Sequence, residues 1–181
     1  MAALNLITFA DAAGSRVGVL LDGGRVLDLG VAMPPARDMI SVIEAGAPML
    51  AAIRALAANP PANAVLPLAS VALQAPIPKP RRNVFCVGRN YMDHVAEGDR
   101  TRGITQSEVP KYPQFFTKAA DCVIAPGAKV PTHEGVTKWL DYEVELVAII
   151  GKTGRDIPKE KALEHVFGWT IGNDVTGRDL Q

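Results

Sequence analysis

The chain is poor in the residues that build soft metal sites and redox centres. Its 181 residues include two cysteines, Cys86 and Cys122, and three histidines, His94, His133 and His165. The cysteines stand far apart and outside any CxxC pair, and the histidines are too scattered for a zinc site. Two reduced, partly buried thiols are the expectation, with the cytoplasm as the default compartment. Net charge is also missing: 19 Lys+Arg balance 19 Asp+Glu, and no basic stripe offers itself to nucleic acid. Apolar runs are short and broken by charge or proline, so no membrane span is expected. The N-terminus lacks a basic start followed by an apolar stretch, and no signal peptide is read there.

What remains is globular composition, 48% hydrophobic and 21% charged, enough for one ordinary domain or a small and a medium one. Leu4 to Phe9, Arg16 to Leu21 and Arg25 to Leu29 alternate as strands, with a hairpin signal at Asp22-Gly23-Gly24. Asp38 to Glu44 and Pro48 to Ala58 read as helical. The Pro-rich stretch 59–82 reads as a linker with one edge strand, Ser70 to Leu73. Beyond it, strands are predicted at Asn83 to Val87, Gln114 to Thr117, Asp141 to Ile150 and Val166 to Asn173. A helix is predicted over Lys159 to His165 after Pro158, and a helical turn over Tyr91 to Glu97 with Asn90 as N-cap. The division expected is a small N-terminal α+β domain, 1–75, and a second domain, 76–181.

The segment from Asp141 to Gly151 carries the chemistry. Strand alternation puts Tyr142, Val144, Leu146, Ala148 and Ile150 on one face and Glu143 and Glu145 on the other, roughly 6.5–7 Å apart along the strand. Val147 and Ile149 continue the glutamate face, so it is no plain solvent face. Two carboxylates leading into an apolar strand repel each other, and burying them is costly without a compensating charge. A divalent cation is one answer; a solvated edge, or pairing with lysine or arginine, is the other. A second strand, Phe167 to Asn173, runs into Asp174, which shares its alternation phase with Gly168, Thr170 and Gly172. Glycines there leave room for a ligand or another backbone. Three carboxylates with open coordination positions suit magnesium or manganese.

His94 and Glu97 lie three apart, so on a helical turn the carboxylate can orient the imidazole and stabilise its charged form. Such a pair can activate water. The plainer reading is an exposed polar turn closed by Gly98. Residues 98–110 are charged and poor in apolar side chains, as a lid is.

Taken together these segments resemble the fumarylacetoacetate hydrolase family. The resemblance rests on Val87-Gly88-Arg89-Asn90-Tyr91 with His94 and Glu97, on Phe115-Phe116-Thr117-Lys118, on Leu140-Asp141-Tyr142-Glu143-Val144-Glu145-Leu146, and on Asn173-Asp174-Val175-Thr176-Gly177-Arg178-Asp179-Leu180-Gln181. These occur in the family's order from about residue 83 to the end. Residues 1 to about 75 are similar to the small N-terminal domain of many bacterial members. The resemblance implies an α+β fold built on the family's mixed β-roll, and a homodimer. It implies Glu143, Glu145 and Asp174 as ligands of Mg²⁺ or Mn²⁺, with Ca²⁺ a further candidate. His94 and Glu97 become the water-activating dyad, and Arg178 and Gln181 contacts to an oxo-acid substrate. Lys118 and Arg89 match common family positions with a substrate-side or structural role.

The chemistry so implied is hydrolytic carbon–carbon cleavage of an acylpyruvate-like oxo-acid. Hydration, isomerisation, decarboxylation or ureidoglycolate cleavage are the family's alternatives, because all share the metal-bound end. The family continues past the position of Gln181 through a lysine-containing segment and further strands. The chain is therefore expected to be a fragment of a longer protein or a truncated product, with unpaired strand edges. Two other readings stand beside the enzyme: a non-catalytic remnant that binds metal or a partner through its open sheet, and a plain structural domain.

Overall fold

Two-residue periodicity at the N-terminus becomes an antiparallel sheet. Strands β1 (Leu6–Asp11), β2 (Gly14–Leu21) and β3 (Arg25–Asp28) form a meander, with Leu6 opposite Val19 and Val19 opposite Leu27. Gly23 and Gly24 both have positive φ, 72° and 67°, a conformation that glycine adopts without steric cost. The computed structural model describes residues 3–12, 14–91 and 111–181. They divide into two units, Met1–Pro78 with Ile124–Gln181, and Lys79–Val123.

Helix α1 (Leu29–Ala32) follows β3 directly, capped by Asp28, whose side chain accepts from the Gly30 N–H at 2.8 Å. Helix α2 (Met39–Ala58) opens with a capping box in which Asp38 and Ser41 bond each other's backbone N–H. It is broken at Gly46 (φ 62°, ψ −144°), so the two predicted helices are two arms of one run. The run is long and apolar enough to cross a membrane by length and composition. Met39, Val42 and Ile53 from it are buried in the core beneath the sheet, among Val17, Val19, Leu27 and Leu29. Burying each such side chain contributes about 1.5–3 kcal/mol.

The stretch 59–82 holds the predicted edge strand, within Ser70 to Leu73, and a second edge strand that was not predicted. Residues Val65–Pro67 (β4) and Ala72–Leu73 (β5) form the two edges of the sheet, in the order β4-β3-β2-β1-β5. Prolines are tolerated there because an edge strand leaves half its backbone groups unpaired. The Thr8 hydroxyl donates to the Pro76 carbonyl at 2.6 Å and ties the exit of this stretch to β1.

In the second unit the two predicted strands are present as β6 (Val84–Gly88) and β7 (Gln114–Lys118), and they pair antiparallel, with Val84 opposite Lys118 and Gly88 opposite Gln114. The helical turn predicted over Tyr91 to Glu97, with His94, and the lid at 98–110 lie outside the described residues from residue 92 on.

The predicted single strand from Asp141 to Ile150 is interrupted. It splits into β8 (Leu140–Asp141) and β9 (Val144–Ile150). Strand β10 (Val166–Asn173) pairs antiparallel with β9, and β11 (Thr176–Gly177) pairs with β8. Between them Asp174 donates its N–H to the Glu143 carbonyl at 2.7 Å, and Glu143 donates its own to the Asn173 side-chain oxygen at 3.0 Å. A side chain thus takes a ladder position at the break. The segment Lys159–His165 is 3-10 helix rather than α-helix. Phe167 and Ile77 pack against the N-terminal core. Helices, antiparallel strand pairs and a separate N-terminal sheet make an α+β fold.

Candidate functional site

The register carries the three predicted carboxylates onto one face. Gly172 lies opposite Glu145 and Asn173 opposite Val144, and the Asp174–Glu143 backbone bond continues the ladder. Glu143, Glu145, Val147 and Ile149 are the half-buried positions of their strand, while Tyr142, Val144, Leu146 and Ile150 are exposed. The glutamates therefore occupy the covered side, the reverse of the usual arrangement. Gly172 keeps the position beside Glu145 open: a Cβ there would lie 3.1 Å from Val147 Cγ2.

Position and side-chain direction part company at Glu143. Its carboxylate, with only 13% of the side chain exposed, accepts from Arg178 Nη1. The same guanidinium donates through Nε to Asp141 at 3.0 Å and through Nη1 to the Gln181 side chain at 3.2 Å. Of the two ways open to a glutamate pair on this strand, Glu143 takes the ion pair with arginine. Among the described residues no three His, Cys, Asp or Glu side chains gather closely enough to hold a metal ion. Glu143, Glu145 and Asp174 offer only oxygen donors, the kind that hard cations prefer.

Arg178 is itself placed by the short β8–β11 pair, in which Thr176 lies opposite Asp141 and Gly177 opposite Leu140. Its N–H donates to the Trp139 carbonyl at 2.8 Å. Burial lowers the guanidinium pKa, but the bond to Asp141 and the charges of Glu143 and Asp141 outweigh that, and the net shift is upward. Asp141 moves down, first through the Arg178 bond and then through the Tyr142 N–H on its other oxygen. Asp179 also moves down, held first by the Lys138 N–H at 3.0 Å and then by the Thr137 hydroxyl.

The structure thus brings Arg178 and Gln181 to Glu143, and sets Glu145 and Asp174 at neighbouring positions. Arg89 and Lys118 belong to the other unit. Arg89 follows β6 at one end of its hairpin with φ 53°, and Lys118 lies opposite Val84 at the other end. Five residues of strand separate those ends, about 16 Å, so the two cations do not share one spot. His94 and Glu97 lie outside the described residues. Asp141 is the residue that sequence reasoning passed over. The alternation that pairs Glu143 with Glu145 reaches it two positions earlier, and that was its available signal. A cleft of about 390 Å³, lined by Thr132, Glu134, Gly135, Thr137, Lys138 and Leu140, contains none of the three carboxylates.

Comparison with known proteins shows the family. Residues 83–181 match the fumarylacetoacetate (FAA) hydrolase C-terminal family. Oxaloacetate tautomerase YisK of Bacillus subtilis is 40% identical over 178 residues, covering 91% of this chain and 58% of that protein. The structure of fumarylacetoacetate hydrolase from Exiguobacterium antarcticum superposes with a TM-score of 0.72 at 37% identity, over 99% of this chain and 58% of that one. Maleylpyruvate hydrolase from Sphingobium sp. SYK-6, in complex with manganese(II) and pyruvate, gives 0.70 at 26% identity, over 96% and 59%. The chain spans somewhat more than half the length of these relatives. With its matched region holding Glu143, Glu145, Asp174 and Arg178, the chain belongs to the fumarylacetoacetate hydrolase family.

Proposed function

We propose that the protein acts on small 2-oxo-acids with a divalent cation held by Glu143, Glu145 and Asp174. Its reaction in this reading is proton transfer between the enol and keto forms of an oxaloacetate-like substrate. The observation that carries the proposal is the shared face of the three carboxylates at alternate register positions, with Glu143 bonded to Arg178 and Glu145 opposite Gly172. The tautomerase at 40% identity supports the choice of reaction. The manganese and pyruvate in the maleylpyruvate hydrolase structure support the choice of metal class and of the oxo-acid end. Mg²⁺ and Mn²⁺ both suit three hard oxygen donors.

When bound, the cation supplies positive charge beside the 2-oxo group and so favours enolate character at the neighbouring carbon. Arg178 holds a carboxylate of the substrate by charge-assisted hydrogen bonds. The acid–base pair expected from the sequence, His94 with Glu97, passes the proton between oxygen and carbon. No water is consumed and no redox change occurs. Hydrolytic cleavage of an acylpyruvate is the second reading, favoured by the likeness to maleylpyruvate hydrolase. It shares the enolate end and differs in using the His94–Glu97 pair to activate water.

The decisive assay follows the decay of enol oxaloacetate with protein and Mn²⁺, against Mn²⁺ alone. Acceleration is expected, with Glu145→Ala at least about 100-fold slower through loss of several kcal/mol of charge stabilisation. Mn²⁺ should also raise the melting temperature of the wild type and leave Glu145→Ala unmoved. Equal thermal shifts in both proteins rule out the carboxylate site. Cleavage of acylpyruvate without any effect on enol decay transfers the assignment to the hydrolytic reading.

A further inference from the structure

Arg178 stands between two carboxylates that differ in exposure and in use. Glu143 is 13% exposed and is one of the three carboxylates on the covered face; Asp141 is 37% exposed and lies before the strand break. Asp141 is committed on both oxygens, Oδ1 to the Tyr142 N–H at 2.9 Å and Oδ2 to Arg178 Nε at 3.0 Å. Glu143 and Gln181 take Arg178 through Nη1 instead. The backbone keeps Asp141 and Arg178 together independently of these side chains, because β8 and β11 pair Asp141 with Thr176, two residues from Arg178.

We propose that Asp141 is a positioning residue: by holding Nε it keeps the Arg178 guanidinium in place while Nη1 passes from Glu143 to a carboxylate of the substrate. The inference rests on the reading of the site as a cation and oxo-acid site. Glu143 cannot serve a cation fully while it neutralises Arg178, so a cation held by Glu143 would leave one donor of the guanidinium free. An arginine held only by Glu143 is then free to swing away. One anchored through Nε loses a single contact and presents that donor to an anion at a fixed place, with little rotamer freedom left to lose. Asp141 thereby acts through Arg178 and touches neither cation nor substrate.

The test uses Mg²⁺ and oxalate, a planar dianion that mimics the enolate of a 2-oxo-acid, with wild type, Asp141→Asn, Arg178→Lys and the double variant. Asparagine has the shape of aspartate and keeps one oxygen, so the fold is retained while the charge-assisted bond weakens. Oxalate affinity of the Mg²⁺-loaded protein, measured by calorimetry, is expected to fall about tenfold in Asp141→Asn. Lysine lacks the forked guanidinium, so the double variant should bind oxalate no worse than Arg178→Lys alone. Additive losses overturn the proposal, because Asp141 would then act independently of Arg178. The Arg178 Nε–H resonance gives a second readout that needs no ligand: it should shift and exchange faster with water in Asp141→Asn. An unchanged resonance removes the anchor itself. If the wild type takes up neither Mg²⁺ nor oxalate while that resonance does respond, the anchor stands and the functional reading beneath it fails, taking the positioning role with it.

Discussion

Asp28 is a buried carboxylate at the end of β3. It is 1% exposed, caps α1 through the Gly30 N–H, and pairs with Arg16 Nη1 at 2.5 Å, while Arg16 reaches Asp11 through Nη2. Asp28→Ala removes the cap and leaves a half-buried guanidinium with one partner. A loss of about 3 kcal/mol is expected in urea unfolding. A loss below about 1 kcal/mol would mean that Asp11 alone satisfies Arg16. Asp179 offers a test against pH. Its folded-state pKa lies below the ordinary aspartate value, so the stabilisation exists above the unfolded pKa and is lost as pH falls through the folded one. The stability difference between wild type and Asp179→Asn should hold at neutral pH, begin to shrink near the ordinary aspartate pKa of about 4, and go on closing as the pH falls through the lowered folded-state value. A difference that stays constant across that range counts against the carboxylate bonds to Lys138 and Thr137.

At the scale of elements, breaks matter more than runs. Gly46 has φ 62° and ψ −144°, and a Cβ there would meet nothing within 4 Å. Space is available, yet an L-residue is strained in that region of backbone space. The strain has no easy relief, since a continuous helix would drive the Pro48 ring against the Glu44 carbonyl. Gly46→Ala is therefore expected to cost about 1–3 kcal/mol in thermal unfolding, with no new steric contact. A neutral substitution would indicate that the two arms of α2 can straighten. The break at Tyr142–Glu143 has the same standing for the site. An unbroken strand would carry Glu143 past Asn173 in simple register, whereas the Asn173 side chain and the Asp174 N–H fasten it at the bend. The sequence shows the acids at alternate positions. It does not reveal that an asparagine side chain would complete the ladder.

Over the whole molecule the apolar interior is unevenly distributed. Among the described residues every buried hydrophobic side chain lies before residue 76. The outer face of the β9–β10 pair is apolar and open. Leu146 and Ile171, opposite each other, are 62% and 75% exposed, with Val144, Ile150 and Trp169 beside them. An exposed patch of this kind binds dyes and promotes association. The 181-residue chain by itself is expected to enhance the fluorescence of an apolar dye such as ANS and to self-associate in light scattering. Ile171→Thr should reduce both while changing stability by no more than about 0.5 kcal/mol, since the side chain is already in water. A much larger destabilisation would show that Ile171 is buried in solution.

Local patterns determined the strands, the Gly23–Gly24 turn, the two arms around Gly46 and the shared face of Glu143 and Glu145. These features follow from periods of two and 3.6 and from glycine and proline, which act within a few residues. The order of motifs carried the family resemblance in the same way. Only the tertiary structure decided which cation meets which carboxylate. Glu143 faces Arg178, 35 positions away, because two short strands bring Asp141 and Thr176 together. Pairings at that separation depend on the register of remote strands and on competition among several charges, which no local period encodes. The same limit hid the use of Val65–Pro67, in the Pro-rich stretch, as the second edge of the N-terminal sheet.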